Sequence, residues 1–584
     1  MLCSLLLLPF LFAPSAASAQ GVSEAPQSVK FSLSREPRGF DPVRHTDLID
    51  ATLQTQILEC LVEYDYLAGD RSVKGQLAES WTVSEDGLEW RFKLRKDARF
   101  YDPFDPPLWS GRIRPVTASD VLYSWLRQAD ARWASGGFWS MDGILLGIEE
   151  YRQATSALDP QQAAKAMAHA LQNGIQGIQV VNDHELLLKL QYPDPSFLNR
   201  LAMTYFAVYP YEAVTKDGRS MRDQPVGSAP FAVQDWLPGQ RLILQRTPNW
   251  RVETSPFGDG ALLPYLDQVE FHVVRDRPTS AEIFRRGEVA RLGVNTTGLN
   301  VFMDNGFELK EKYQEAGLQL FNHPAADLTM LCFGMEDPVV GNLPGDEAGN
   351  AKRRLLRRVL ALAFPYDQWN EKFRAKIFAN KAISFLPPWI PGASNLPASQ
   401  WNHLDLELAK QLLAEAGYAN GVGLEEIEFV LSGKSNFVVS FAQIYAHNLS
   451  QIGVKLKLVP VTYNEQIERS KNADAQIALR TWTMDWPDGA LMMQNFYGPQ
   501  AGVVNYSFFR DPDFDALFEL YRQTPDGVER NQLLLNMLQI LETEVPAVPI
   551  DHRRNALLVH PWLQNYRYHP FQSFFCKYYS VSEH

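Results

Sequence analysis

Residues 75–100 read GQLAESWTVSEDGLEWRFKLRKDARF and, after a proline-rich interruption, residues 115–127 read PVTASDVLYSWLR. Apolar side chains alternate with charged ones from Leu88 to Leu94, which is the period of a strand with one buried and one solvated face. The turn residues Glu85, Asp86 and Gly87 allow residues 81–83 to fold back as the partner strand. The sequence therefore predicts a β-hairpin here.

A helix is predicted directly after this hairpin. Thr117 and Asp120 have the spacing of a capping box, and an apolar stripe at helical spacing follows them. Similar patterns recur along the chain, and together they predict an α/β fold. The helices expected most clearly are Asp120–Arg127, Ala351–Phe364, Leu404–Ala416 and Val528–Glu544, and the strands are Phe271–Val274 and Val454–Val459.

The N-terminus reads as an export signal. Residues 1–19, MLCSLLLLPFLFAPSAASA, combine an apolar run with a small-residue Ala-Ser-Ala ending, which predicts a signal peptide cleaved after Ala19. No later stretch approaches the length of a membrane span. The chain has 584 residues, 46% of them hydrophobic, which is enough for several cores. Its formal net charge of −13 argues against nucleic acid and anionic membranes as partners.

Three of the four cysteines remain after the predicted cleavage: Cys60, Cys332 and Cys576. An odd number in an exported chain allows at most one disulfide and leaves at least one free thiol. Unpaired buried thiols are an equally good interpretation, so the sequence does not predict a disulfide scaffold.

The order of motifs resembles one known family. The hairpin and helix of residues 75–127 are similar to the signature of bacterial extracellular solute-binding proteins of family 5, the peptide/nickel-binding type. Further blocks match that family in the same order: PVGSAPF and WLPG (225–231 and 236–239), YLD and RRGEV (265–267 and 285–289), RRVLALAFPYD (357–367), LELAKQLLAEAG (406–417), TWTMDWPD (481–488), and the closing segment 505–549. One departure is Pro365, which is expected to end its helix early.

The resemblance implies a fold and a domain organisation. It is closest to the periplasmic oligopeptide-binding members, which implies a two-lobed, hinge-closing α/β protein with an extra domain II. The expected division is 20–61, 196–298 and 546–584 for domain I, 62–195 for domain II and 299–545 for domain III. Because domain I would then contain both Cys60 and Cys576, a bond between them is conceivable.

Asp485 is the candidate residue for recognising a ligand. In the TWTMDWPD block it occupies the position where peptide-binding members of the family place a carboxylate for the ligand's N-terminal ammonium group. Trp482 and Trp486 would then be flat apolar walls beside it. Alternatively Asp485 only caps a local turn before Pro487, although Asp488 is better placed for that role.

A peptide's carboxylate end needs a cation, and the sequence offers three. Arg480, Lys434 and Arg553 lie in segments expected to face the cleft, but each is also consistent with an ordinary surface charge. The face on which Arg480 lies depends on strand register. Phe138, with its neighbour Trp139, is a candidate for the domain II wall, or else for the core.

Nothing in the sequence favours catalysis. It contains no nucleophile elbow, zinc-protease motif, phosphate-binding loop or dinucleotide fingerprint, and its 11 histidines lack ligand spacing. Two carboxylates brought together by folding, as in glycosidases, remain possible from sequence. The basic run between Lys352 and Arg358 is interrupted by leucines, which indicates an amphipathic helix with a solvated basic face.

The resemblance implies a periplasmic, monomeric binding protein that captures oligopeptides and delivers them to an inner-membrane ABC permease, without a cofactor, a metal or nucleic acid. Within the family, dipeptides, nickel chelates, opines and oligosaccharides are rival ligands. A secreted hydrolase is the alternative from another class, and a chaperone or signalling role on the same fold stays open.

Overall fold

The computed structural model describes residues 27–582 apart from 45–46, 69–71, 157–158, 217, 295, 305–306 and 434–435. The predicted signal peptide, residues 1–19, and the candidate Lys434 lie outside the described residues. Among the residues that are described, no helix combines the length and the apolar character needed to cross a membrane.

The strands in chain order are β1 (Ser28–Leu33), β2 (Val62–Tyr64), β3 (Val73–Gly75), β4 (Ala78–Val83), β5 (Glu89–Leu94), β6 (Arg99–Tyr101), β7 (Ile113–Pro115), β8 (Ile178–Asn182), β9 (Glu185–Lys189), β10 (Phe231–Leu237), β11 (Arg241–Arg246), β12 (Gln268–Val273), β13 (Arg291–Gly293), β14 (Gln319–Pro324), β15 (Asp327–Phe333), β16 (Ala379–Lys381), β17 (Ile427–Ser432), β18 (Leu456–Val461), β19 (Ile477–Thr483), β20 (Ala547–Val559), β21 (Leu563–Gln564) and β22 (Ser580–Val581).

The α-helices are α1 (Leu48–Ile57), α2 (Ala118–Ala129), α3 (Ile148–Thr155), α4 (Pro160–Asn173), α5 (Phe197–Leu201), α6 (Glu212–Thr215), α7 (Arg277–Arg285), α8 (Thr296–Phe302), α9 (Glu311–Glu315), α10 (Glu347–Leu362), α11 (Tyr366–Gln368), α12 (Leu406–Glu415), α13 (Asn436–Gln451), α14 (Tyr463–Lys471), α15 (Ala490–Met493), α16 (Pro512–Gln523) and α17 (Val528–Glu544).

The predicted hairpin and helix are confirmed. β4 and β5 pair antiparallel with Trp81 opposite Phe92, and β5 buries Phe92 and Leu94 while its charged residues stay exposed. At the start of α2 the Asp120 carboxylate accepts the backbone N–H of Thr117 at 2.9 Å, completing the capping box. This sheet has the order β4-β5-β9-β8.

The other predicted elements also form, with shifts of a few residues at their ends. The run Val528–Glu544 is the whole of α17, while the helix predicted at Ala351–Phe364 is the C-terminal part of α10. α10 ends at Leu362, and Pro365 starts a separate short helix because its ring cannot continue the first one.

Two further sheets have four or more strands. β1, β12, β11 and β10 form one sheet, in which β1 runs parallel to β12. The largest sheet has the order β13-β20-β15-β19-β17-β18, and β14 and β16 also pair with β20. β20 is therefore the strand around which this sheet is organised.

Buried apolar side chains form two large cores. The first core draws on residues from Val29 to Ala290 and on the C-terminal segment from Val559 to Tyr579, and the second draws on residues from Ala326 to Ile550. We call these parts of the chain the first lobe and the second lobe. Because the first core runs through both expected domains I and II, the three-domain division stays a prediction.

Two sequence-based expectations change in the structure. Arg357, expected on a solvated basic face, is fully buried because its guanidinium donates to the backbone carbonyls of Glu544 (2.6 Å) and Val340 (2.7 Å). These bonds satisfy oxygens that the end of α17 and a nearby loop leave without partners. Cys60, Cys332 and Cys576 are all free and buried, so the conceivable Cys60–Cys576 disulfide is absent.

Candidate functional site

A cavity of about 580 Å³ lies between the two lobes, beside the loop that follows β19. Segments of both lobes contribute side chains to it. Its lining comprises Trp139, Asp142, Ile144, Tyr192, Asp194, Ser196, Arg200 and Tyr205 from the first lobe, and Trp482, Asp485, Trp486, Asp488, Ala490, Leu491, Gln494, Gln500, Val503, Val504, Phe518 and Arg522 from the second lobe.

Asp485 lies two residues beyond the end of β19. The backbone N–H of Met484 makes the last ladder bond of this strand, to the carbonyl of Ala326 at 2.7 Å. Pro487, three residues later, lacks an N–H that could continue the ladder. The Asp485 side chain is open to this cavity and also to a second, smaller cavity of about 290 Å³. The carboxylate therefore lies where the two cavities meet.

The Asp485 carboxylate has no partner among the described residues. Within the described part of the chain, no hydrogen bond or ion pair reaches it. The Asp485 side chain is exposed towards the two cavities, and protein surrounds it on its other sides. This burial raises the pKa of Asp485 to about 6, against a lowering by the positive charge of Arg200. A cation bound beside Asp485 would stabilise the ionised carboxylate.

Asp488, three residues later, has the structural role. Its carboxylate accepts two hydrogen bonds from Arg530 Nη2, both at 2.8 Å, and one from the backbone N–H of Ala490 at 2.7 Å. Ser196 Oγ of the first lobe also donates to it. Burial would raise the pKa of Asp488, but the charge and hydrogen bonds of Arg530 hold it below its usual value. Asp488, not Asp485, therefore fixes the turn.

Trp486 lies at the edge of the cavity with both faces covered. The ring of Trp139 stacks on it with centroids 5.7 Å apart, and the guanidinium carbon of Arg200 lies 4.2 Å from its centroid. Arg200 is held in turn by Asp194, whose carboxylate accepts from Nε at 2.5 Å. Only 2% of Trp486 is exposed, so it offers a ligand an edge and not a flat wall.

Trp482 is half-buried on β19 and lines the larger cavity. Its indole Nε1–H is buried and has no acceptor among the described residues. Trp482 therefore offers the cavity both an apolar surface and an unused hydrogen-bond donor.

The remaining sequence candidates lie away from both cavities. Arg480, also on β19, packs its guanidinium over the ring of Tyr506 at 4.4 Å, and burial lowers its pKa. Arg553, on β20, forms an ion pair with Asp327 at 2.5 Å. Neither contributes to the lining of either cavity. The charge of Arg553 is thus already balanced within the protein.

Phe138 packs under Arg152, whose guanidinium carbon is 4.1 Å from the ring centroid, and contacts the first core. It does not line either cavity, whereas its neighbour Trp139 does. The chain turns in a short 3₁₀ segment at Phe138–Ser140, which sends the two adjacent rings in different directions.

Several lining residues carry no signal in the sequence. Arg200, Tyr205 and Arg522 belong to segments far from the TWTMDWPD block, and no spacing connects them to it. Tyr205 borders both cavities, as Asp485 does. The second cavity is lined by Asp47, Leu48, Ala51, Thr52, Thr55, Tyr64, Ala202, Met203, Thr204, Tyr205, Thr483, Met484, Asp485, Pro570, Phe571 and Gln572.

The arrangement suits binding of a cationic group. An unpaired carboxylate attracts a cation through its charge, and the Trp482 and Tyr205 side chains that line the same cavity offer apolar surface beside it. The described residues hold no group of three or more His, Cys, Asp and Glu side chains that could bind a metal ion.

Comparison with known proteins agrees with the fold. The chain is 24% identical to heme-binding protein A of Haemophilus influenzae, with 95% of this chain and 93% of that protein covered. It is also 24% identical to the probable di/tripeptide-binding protein 5 of Pseudomonas aeruginosa, with 97% of each covered. Among solved structures, the periplasmic binding protein DppA of Helicobacter pylori in complex with the peptide STSA superposes with a TM-score of 0.69 at 20% identity, covering 95% of this chain and 98% of that one.

The family model for bacterial extracellular solute-binding proteins, family 5, matches residues 72–503. That range includes the hairpin of β4 and β5, the cavity segment around Arg200 and the Asp485 loop. The chain therefore belongs to the bacterial extracellular solute-binding proteins of family 5.

Proposed function

We propose that this protein is the periplasmic binding component of an ABC importer and that it captures short peptides between its two lobes. It would be exported by the signal peptide of residues 1–19, act as a monomer and deliver its ligand to an inner-membrane permease. The role involves binding and release, with no covalent chemistry.

One observation carries this proposal: the Asp485 carboxylate lines the cavity between the lobes and has no hydrogen-bond or ion-pair partner among the described residues. A peptide's N-terminal ammonium group supplies the missing charge and donates hydrogen bonds to it. An ammonium group that pairs with this unpartnered carboxylate strengthens binding, and the partial desolvation of Asp485 increases that gain. The peptide-binding names of the Pseudomonas relative and the Helicobacter structure support the same ligand class.

The lobes support capture by closure. The cavity draws side chains from both lobes, and β20 runs from the second core at Val548 to the first core at Val559. A ligand held by both lobes stabilises the closed arrangement over the open one, as in hinge-closing proteins.

Ligand identity is tested directly by native mass spectrometry of protein purified from the periplasm. Bound peptides of two to several residues are expected. A single small chelate or a sugar bound in their place would overturn the proposal. Because one relative is named a heme-binding protein, a hemin titration followed by absorbance is a necessary second arm; stoichiometric hemin binding that excludes peptides would also overturn it.

The role of Asp485 is tested by comparing a free tripeptide with its N-acetylated form by calorimetry. The substitution Asp485→Asn should weaken binding of the free peptide by roughly 10- to 150-fold, which corresponds to the free energy of a hydrogen bond to a charged group. It should weaken binding of the acetylated peptide far less. Asp513→Asn, an exposed aspartate of α16 in the same lobe, is the matched control and should bind both like the wild type. Equal losses for both peptides would remove Asp485 from this role.

A further inference from the structure

Asp142 is a second carboxylate in the larger cavity that the peptide's N-terminus does not account for. The lining includes four aspartates and two arginines. Two of the aspartates are neutralised: Asp194 by Arg200 at 2.5 Å, and Asp488 by Arg530 at 2.8 Å. Both arginines of the lining form ion pairs within the protein: Arg200 with Asp194, and Arg522 with Glu519 at 2.7 Å. Among the described residues this leaves Asp142 and Asp485 without an ion pair.

The surroundings of Asp142 favour binding of a cation beside it. It is exposed on the turn before α3 and faces the Glu149 carboxyl, which itself accepts from Gln191 Nε2 at 3.0 Å. Partial desolvation, the charge of Glu149 and a hydrogen bond with that carboxyl raise the pKa of Asp142, while the charge of Arg152 lowers it without an ion pair between the two. A positive group at this point relieves the repulsion between two carboxyls.

The cavity lining that includes Asp142 also contains apolar and aromatic side chains. Ile144 lies two residues away on the same turn, and Trp139 precedes it, with Leu491 and Phe518 lining the cavity from the other lobe. A side chain with a long aliphatic stem and a charged end matches such a lining, because the stem covers apolar surface while the end reaches a carboxylate. Lysine and arginine are the side chains of this kind.

We infer that Asp142 makes the cavity selective for peptides that carry a basic side chain in addition to the N-terminal ammonium group. This inference rests on the proposed peptide-binding function. Asp485 would bind the ammonium group shared by all peptides, and Asp142 would discriminate among them. Acidic peptides would be disfavoured, because neither arginine of the lining is free to neutralise them.

The test uses ligands that differ only in charge. Three alanine tripeptides, each with one lysine at a different position, are compared with the same peptides carrying norleucine, which keeps most of the stem and lacks the ammonium group. For the best-bound lysine peptide, calorimetry should show at least about tenfold tighter binding than for its norleucine counterpart. In Asp142→Asn this ratio should fall to within about twofold. Glu150→Gln, an exposed residue of α3 outside the lining, should keep the wild-type ratio.

The outcomes separate this inference from the proposed function. Tight peptide binding without a lysine preference, or a preference that survives Asp142→Asn in a folded protein, would overturn only the role of Asp142. Failure of every peptide to bind the wild type would overturn the proposed function itself. Binding of spermidine but of no peptide would do the same, since it would show a polyamine site. Thermal melts of both variants establish that folding is unchanged.

Discussion

Trp139 and Trp486 stack across the cleft with ring centroids 5.7 Å apart and planes inclined by 11°. The first ring belongs to the first lobe and is 41% exposed, and the second belongs to the loop that carries Asp485. This contact joins the lobes next to the larger cavity, so we expect it to contribute to a closed arrangement of the lobes.

Replacing Trp139→Ala should weaken peptide binding. An aromatic pair is worth about 0.5–1.5 kcal/mol beyond its buried area, which corresponds to about a 2- to 12-fold loss of affinity. The loss should lie mainly in a faster dissociation rate, measured by stopped-flow fluorescence, because the contact forms after the lobes meet. Trp139→Phe keeps a stacking ring and should lose less. Unchanged dissociation in Trp139→Ala would show that the stack does not hold the cleft closed.

Peptide affinity should depend on pH through Asp485. Its pKa in the ligand-free protein is about 6, and the ammonium group binds the ionised form. Affinity for a free peptide should therefore be highest near pH 7 and fall by up to about tenfold per pH unit well below pH 6. It should also fall above about pH 8, where the peptide amine loses its proton. Calorimetry across this range checks the profile, and in Asp485→Asn the acid limb should vanish.

The ligand-free protein should gain stability when Asp485 is neutralised. The pKa of Asp485 in the folded protein is raised above its usual value, so its ionisation destabilises the folded state. This loss of stability develops as the pH rises from about 4 to above 6. Asp485→Asn should therefore unfold at a higher temperature than the wild type at pH 7.5, and the difference should disappear at pH 4. Scanning calorimetry gives both values. A lower melting temperature for the variant at pH 7.5 would contradict the unpaired state of the carboxylate.

The Asp488–Arg530 ion pair should be essential to the stability of the second lobe. Both side chains are about 5% exposed, and removing one partner leaves the other charge buried, at a cost of about 3–5 kcal/mol. Arg530→Met should lower the free energy of unfolding by that amount in urea denaturation. Asp526→Asn removes the exposed partner of the same arginine and should cost less than about 1 kcal/mol. Similar losses in the free energy of unfolding for the two variants would argue against a larger contribution of the buried Asp488–Arg530 pair than of the exposed Asp526–Arg530 pair.

Local structure was predictable because its causes lie within a few residues. The alternation in β5, the capping box of α2 and the stop at Pro365 each follow from neighbours in sequence, and each formed as expected. The burial of Arg357 was not predictable, since its partners are the carbonyls of Glu544 and Val340, on segments distant along the chain.

The α/β elements, the resemblance to the family and the candidate residues around Asp485 can be predicted from the sequence alone. Which of the charges near Asp485 lack a partner depends on the packing of distant segments. Asp488 meets Arg530, 42 residues away, and Ser196, 292 residues away, whereas Asp485 meets neither. The reason is physical: secondary structure depends on local backbone geometry and side-chain periodicity, while ion pairing within about 4 Å depends on which distant segments the packed cores bring together.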